Sequence, residues 1–334
     1  MLTVRAPATS ANLGPGYDCL SLAVDVANVV QLWPSEGGVR VEVIGEGAKL
    51  LPGDAANEVY RSVAAVYRLH GSKPPSLRLR CENVIPPSRG LGSSSAARAC
   101  GLLLGNRLLG DPFSREDLFR LGAEMEGHPD NIAACLFGGV QVCVTGARGL
   151  QHVSVPVSFP LATTVYVPDF PMDTHAARGL LPTEVSIETA VHNISRASLF
   201  VAALATGRTD LLRTATEDAI HQPPRSTVFP ALPKLIGAAI EAGAHGAFLS
   251  GAGSSVLALV DPDRAARVGG AMSEAALQAG VPGRIIQTTI TAHGATIEAD
   301  ETTSPPSPLL RGKGRPSASP GCSPPLRAGE GAEG

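Results

Sequence analysis

Residues 86–97 read Pro86-Pro-Ser-Arg-Gly-Leu-Gly-Ser-Ser-Ser-Ala-Ala97, and the fold turns on how this stretch is read. Gly90 and Gly92 stand just before Ser93, Ser94 and Ser95, and an Ala-rich apolar run continues through Leu104. Glycine lets a backbone approach a ligand closely. The first turn of a helix offers unpaired N–H groups and the positive end of the helix dipole. Serine hydroxyls add donors and an oxygen ligand for a metal. The stretch therefore reads either as a phosphate cradle at a helix N-terminus or as an ordinary Ser-capped helix after a turn. It is not a Walker loop, because no Gly-x-x-x-x-Gly-Lys-Ser/Thr occurs. It is a poor dinucleotide fingerprint too, because Ser95 replaces the third glycine and no acidic residue follows at the usual strand end. Any cradle here relies on backbone N–H groups, serines and Arg89.

The flanking sequence alternates strand and helix patterns. Residues 2–5 and 20–33 read as strands around a small-residue loop, 6–18, that holds Gly14, Pro15 and Gly16. Residues 39–44 and 77–81 read as strands. Helical spacing predicts a helix over 57–69, with Val59, Val63, Val66 and Leu69 on one face. A buried helix is predicted over 93–109, and a further one starts at Ser114, with Asp117 completing a capping box, and ends near Gly127. Residues 138–144 read as a glycine-led strand. Beyond residue 155 the order is a strand (163–167), helices (185–205, 210–219 and 231–242), two strands (247–249 and 256–260), a helix (264–279) and a strand (284–290). That is the split βαββαβ pattern. The expected fold is α+β with two domains, 1–155 and 156–298. Residues 299–334, rich in Pro, Ser and Gly, are expected to be a disordered tail, because so few apolar residues cannot offset the entropy of ordering.

Composition narrows the function. A chain of 334 residues suits two domains, and 44% hydrophobic against 17% charged residues supplies a real core. A net charge of −3 gives no reason to expect nucleic acid or a membrane surface as partner. No apolar run reaches membrane-spanning length, and the N-terminus lacks the basic-then-apolar pattern of a secretory signal. The six cysteines are scattered without a Cys-x-x-Cys pair. Free thiols in a reducing cytoplasm are the expectation.

Five constellations could carry chemistry. The Gly/Ser loop is the first. Glu124-Met-Glu-Gly-His-Pro-Asp-Asn131 crowds two glutamates, an imidazole, an aspartate and an amide at a helix end. Oxygen ligands from Glu124, Glu126 or Asp130 would suit Mg²⁺, although a Gly-closed helix and a Pro-Asp turn would also explain the segment. The N-terminal loop offers Asn12 and Asp18, which alone would pass for an Asx-turn. Ser250-Gly-Ala-Gly-Ser-Ser255 lies between two apolar strands, as a hairpin loop or a place of close approach. Finally, Arg178 follows Thr174-His-Ala-Ala, and Arg225 follows His221-Gln-Pro-Pro. The stiff frame before Arg225 suits bidentate capture of a carboxylate.

Taken in order, these segments resemble the GHMP kinase superfamily and, within it, the homoserine kinases. Residues 7–18, 86–97, 126–131 and 250–256 carry the likeness, which covers about residues 1–295. It implies transfer of the γ-phosphate of ATP to the hydroxyl of L-homoserine, a step of threonine synthesis, at a site between an ATP-binding domain and a ferredoxin-like C-terminal domain. It implies that Asn12, Asp18 and His128 hold the amino and hydroxyl end of homoserine, and that Arg178 and Arg225 clamp its carboxylate. Asn57 would lie near the adenine. Pro86, Pro87, Ser88, Arg89, Gly90, Leu91, Gly92, Ser93, Ser94 and Ser95 would wrap the phosphates, and Ser94 and Glu126 would hold Mg²⁺, with Glu124 competing for the glutamate role. Asn131, His128 and Arg89 are the catalytic candidates. Two departures stand out. Ser254 replaces the usual proline of the glycine motif, which implies a looser loop. Asn131 stands where sugar and mevalonate relatives place an aspartate, so catalysis by positioning and charge neutralisation is expected, with Asp130 as a lesser candidate base. A mevalonate-type kinase and a catalytically silent nucleotide-binding protein are the alternatives. A homodimer is the candidate assembly.

Overall fold

The computed structural model describes residues 1–299. Its N-terminus is one long hairpin, β1 (Leu2–Asn12) and β2 (Gly16–Pro34), where a loop over 6–18 was expected. The small residues that suggest a loop are strand residues covered on both faces. Ala8, Thr9, Ser10 and Ala11 are all buried. Pro7 is tolerated because the register shifts between Pro7 and Ala8. β2 then pairs with β4 (Leu77–Asn83), and β3 (Arg40–Gly45) runs parallel to β4. The N-terminal part of β2 pairs with β5 (Val140–Gly146), which pairs with β6 (Gly149–Val155). β6 escapes the sequence reading because its residues are mostly exposed.

Four helices cover this sheet. They are α1 (Glu58–Leu69), α2 (Ser93–Leu108), α3 (Arg115–Glu126) and α4 (Asp130–Phe137). α2 is buried on most sides, and Gly101 lets α1 approach: a Cβ there would stand 2.1 Å from the Val59 carbonyl oxygen. The Ser114–Asp117 capping box forms as read, and Gly127 closes α3 in the left-handed region. What reads as a Pro-Asp turn after Gly127 is the start of α4, with Asp130 in its first turn, where a carboxylate complements the helix dipole.

The second unit begins at β7 (Ala162–Pro168), so the change of sheet falls near residue 155. It continues through α5 (Thr174–Gly179), α6 (Ile187–Thr206), α7 (Leu212–Ala215), α8 (Gln222–Ser226), α9 (Leu232–Glu241), β8 (Gly246–Leu249), β9 (Val256–Val260), α10 (Ala265–Gln278) and β10 (Gly283–Thr289). The strands are antiparallel in the order β10-β7-β9-β8, which is the split βαββαβ arrangement. Two expectations need correction. The helix over 210–219 shrinks to α7, because Asp218 turns the chain by accepting from the backbone N–H groups of Ile220, His221 and Gln222. The last strand, β11 (Thr296–Ala299), leaves the second unit and pairs with β1, so the span 156–298 is not one closed domain. Apart from Ala299, the expected tail lies outside the described residues.

Candidate active site

The loop between β4 and α2 lines a cavity of about 640 Å³ that runs between the two units. Gly92 caps α2 without any side-chain hydrogen bond, so the N–H groups of the helix's first turn carry no side-chain cap and suit an anion. Ser93, Ser94 and Ser95 line the cavity there. The glycines are needed for a reason the sequence does not suggest: the close neighbour is protein. Gly90 and Gly92 both have positive φ, 73° and 65°. A Cβ on Gly92 would meet the Thr9 hydroxyl at 1.9 Å, and one on Gly90 the Ser250 carbonyl oxygen at 2.0 Å.

That second neighbour belongs to the 250–255 loop, which is docked on the back of the phosphate loop. Ser250 Oγ lies 2.6 Å from the Gly90 carbonyl oxygen and 2.7 Å from Ser10 Oγ. Gly251 N–H donates to Ala11 and Ser255 N–H to Arg89. Ser254 does not loosen this loop, since its hydroxyl donates to the Phe170 carbonyl at 2.7 Å. Arg89 is not brought into the cavity. Its guanidinium donates to the carbonyls of Pro168, Pro87 and Asp169, pinning the loop to the end of β7. Pro86 likewise lies outside the cavity lining, while Pro87, Ser88 and Leu91 belong to it.

At one end of the cavity Asn57 caps α1. Its side chain accepts from Val59 N–H and donates to the Pro52 carbonyl, so it shapes the wall through the helix start. Leu51, Pro52, Val59 and Cys81 stand beside it as an apolar patch fit for a flat ring.

At the other end the polar groups converge. Asn12 is buried behind the cavity lining rather than on it; with φ 71° it donates to the Gly251 carbonyl at 2.9 Å and accepts from Asp18 N–H. The fork of Arg178 is bidentate on Asp18 at 2.6 and 2.8 Å and also reaches the Tyr17 hydroxyl. The hydrogen bond to Asp18 leads the causes raising the guanidinium above its usual value. The two residues expected to hold opposite ends of a substrate thus hold each other. Arg225 is different. It is 1% exposed and is the largest fully buried side chain among the described residues. It donates to His221 Nδ1 at 2.9 Å and to the Gly251 carbonyl at 3.1 Å. Among the described residues no carboxylate lies within ion-pair distance of it, and burial pulls it below its ordinary value. His221 donates through Nε2 to the Gly14 carbonyl, and burial pushes it down to about 4, so it stays neutral and accepts from Arg225. The sequence singled out neither His221 nor Asp218 as supports, although the i,i+4 spacing from His221 to Arg225 was a signal.

Between these ends sit His128, Asp130 and Asn131. His128 Nδ1 is 2.8 Å from Asp130 Oδ1. Burial pulls the imidazole down, and the hydrogen bond and charge of Asp130, with the charge of Glu126, more than offset it, so His128 is raised. Asp130 Oδ1 also accepts from Asn131 N–H, and Asn131 Oδ1 accepts from Thr9 at 2.8 Å. Asp130 thus orients His128 and Asn131 through Oδ1.

Glu126 lines the cavity and Glu124 does not; Glu124 is exposed on α3. The Glu126 side chain is only 3% exposed. Its Oε1 accepts from Ser95 and from Arg98 NH1, while Oε2 is buried without a hydrogen-bond partner. Burial raises it, and Arg98, His128 and Ser95 oppose that. An orphaned carboxylate oxygen and the exposed hydroxyl of Ser94 on the same cavity are a hard-oxygen donor set that fits Mg²⁺. The sequence reading missed Arg98, one helical turn beyond Ser94 and Ser95.

A helix start suited to an anion, an apolar slot and a cluster of polar groups lie between an α+β unit and a ferredoxin-like unit, the arrangement of a small-molecule kinase of the GHMP type. The family described as "GHMP kinases N terminal domain" matches residues 57–139, and "GHMP kinases C terminal" matches residues 200–277. The chain is 38% identical over 296 residues to a homoserine kinase of Trichormus variabilis, covering 88% of this chain and 98% of that one. It is 39% identical over 295 residues to one of Carboxydothermus hydrogenoformans, covering 88% and 96%. The crystal structure of a homoserine kinase from Cytophaga hutchinsonii superposes with a TM-score of 0.81 at 31% identity, over 89% of this chain and 97% of that one. The chain belongs to the homoserine kinases.

Proposed function

We propose that this protein transfers the γ-phosphate of ATP to the side-chain hydroxyl of L-homoserine, giving O-phospho-L-homoserine for threonine synthesis. The observation that carries the substrate is Arg225, a buried guanidinium on the cavity with no carboxylate among the described residues within ion-pair distance. A substrate carboxylate supplies the missing anion. Asp18, held in place by Arg178 and Tyr17, takes the ammonium group, so Arg178 acts through Asp18 rather than as a second carboxylate clamp. The Gly251 carbonyl, which accepts from both Asn12 and Arg225, fixes the distance between these two anchors.

The hydroxyl then lies toward His128 and Asn131. Asn131 cannot take a proton, and Asp130 Oδ1 is engaged by His128 and Asn131. These groups orient the hydroxyl in line with the γ-phosphate, which suffices because the loose transition state of phosphoryl transfer asks little of a base. The nucleotide's base occupies the slot near Asn57, and its phosphates meet the N–H groups and serines of 88–95. Ser94 and Glu126 would hold Mg²⁺, which when bound neutralises charge on the phosphates. Arg89 supports this loop from behind and is removed from the catalytic set. The free cysteines Cys19, Cys81, Cys100, Cys135 and Cys143 support a cytoplasmic setting. None of the described helices is long and apolar enough to cross a membrane.

The test is ADP release by the purified protein with Mg·ATP, compared over homoserine, serine, threonine and mevalonate. Homoserine-dependent release with a product carrying phosphate on the side-chain oxygen is expected. Release that depends on mevalonate instead, or on none of the four, overturns the reading.

A further inference from the structure

Arg98 projects from the second turn of α2 into the wall of the cavity, where its side chain is 15% exposed between two carboxylates. NH1 donates to Glu126 Oε1 at 2.9 Å. Nε lies 2.9 Å from Glu58 Oε1, an ion pair by distance whose N–H is not aligned for a hydrogen bond. Glu58 is the first residue of α1, directly after Asn57, and its other oxygen is held by Arg61 at 3.0 Å. The guanidinium therefore links the helix start beside the nucleobase slot to the carboxylate at the phosphate end.

We propose that Arg98 is a positioning residue for phosphoryl transfer: by fixing Glu126 through Oε1, with Glu58 as its own anchor, it presents Oε2 as the free oxygen for the metal that accompanies the nucleotide. Three features support this. Arg98 and Ser95 occupy the same oxygen of Glu126, so the carboxylate cannot rotate without breaking two hydrogen bonds. The other oxygen is buried and has no hydrogen-bond partner. A buried carboxylate left without a compensating charge is costly, and the guanidinium supplies that charge without occupying Oε2. Groups that orient a metal ligand commonly matter 10- to 100-fold for metal affinity. The proposal rests on the reading of Glu126 as the Mg²⁺ ligand.

The experiment is calorimetric titration of the full chain with ADP, once with excess Mg²⁺ and once with EDTA. The wild-type protein is expected to bind ADP more tightly with Mg²⁺. If it does not, the metal reading of Glu126 fails whatever Arg98 does. In Arg98→Met the Mg²⁺-dependent gain in affinity falls by about 10-fold, while metal-free ADP binding stays within about 3-fold. Arg98→Lys is a point charge without the fork, so its gain lies between the two. In steady state, kcat falls in the same order and the homoserine KM stays within about 2-fold. An undiminished Mg²⁺-dependent gain in Arg98→Met, or in Arg98→Lys should the first variant not fold, overturns the proposal. So does a loss confined to thermal stability.

Discussion

Arg225 shows what a single residue can reveal and conceal. The Pro-Pro pair before it marks a stiff frame, and that much is legible in the letters. That its guanidinium is wholly buried, and supported by a neutral histidine and two backbone carbonyls, is tertiary information. A charge-assisted hydrogen bond is worth about 1.5–3 kcal/mol. Arg225→Ala should therefore lower kcat/KM for homoserine by about 10- to 100-fold, mostly through KM, with the ATP KM changed less than about 3-fold. Steady-state kinetics with each substrate varied separately tests this. Equal losses for both substrates would contradict the carboxylate role. Arg89 makes the opposite lesson: an arginine inside a phosphate loop invites a phosphate contact, yet the carbonyls of Pro168 and Asp169 at the end of β7 capture it. Nothing local in the sequence places β7 there. Arg89→Met should thus loosen the junction of the two units, lowering Tm, and leave the homoserine KM near its wild-type value.

At the scale of elements, period and caps carried the reading where one face was polar, and failed where both faces were covered. α1 and α3 announce themselves through an apolar stripe and a capping box. The middle of β1 hides because a strand of Ala, Thr and Ser looks like a loop, and it is built of small residues because α2 and α4 lie on it. The same crowding explains the Gly/Ser loop. Gly92 sits against Thr9 of β1, and Thr9 in turn holds Asn131. Gly92→Val therefore does more than fill the approach to a phosphate. It must push Thr9 away, disturb Asn131 and force a β-branched residue to positive φ, for which the backbone cost alone is about 1–3 kcal/mol. The expected outcome is loss of measurable ADP binding by calorimetry together with a lower Tm. Retained ADP affinity would discredit the loop as the phosphate anchor.

For the whole molecule, the two units are joined by buried polar contacts that respond to pH. His221 lies in the second unit and donates to Gly14 in the turn of the first hairpin. Its ordinary value is 6.5, and burial holds it near 4 in the native protein. Between those pH values the unfolded chain binds the proton and the native protein does not, so stability is complete above about 6.5 and falls as pH drops toward 4. Thermal melts of the wild type should show Tm decreasing over that window, and His221→Gln, which cannot titrate, should show a shallower decrease. A steeper or equal slope in the variant would exclude His221 as a source of the acid sensitivity.

The chain's final described strand sets a second whole-molecule boundary, one that the domain reading from sequence missed. β11 is only four residues long, and nothing local links it to β1, nearly the whole chain away. Yet Leu2, Thr3, Val4 and Arg5 pair with Ala299, Glu298, Ile297 and Thr296. Ala295, wholly buried, donates to the Cys135 carbonyl. The 296 residues aligned with the Trichormus relative account for 98% of that protein, so it has almost nothing to match the rest of this chain. Two truncations separate these facts. A chain ending after Thr302 should keep kcat/KM within about 2-fold and an unchanged Tm. A chain ending after Gly294 loses the Ile297 side chain and exposes the edge of β1. Ile297 is half-buried, so its loss costs less than the about 1.5–3 kcal/mol of a fully buried side chain, and Tm should fall by a few degrees. Because β1 continues to Thr9 and Asn12, the damage should reach the site as a lower kcat. If both truncations behave like the full chain, β11 contributes nothing to the site. If the longer one is inactive but folded, residues beyond 302 take part in the reaction.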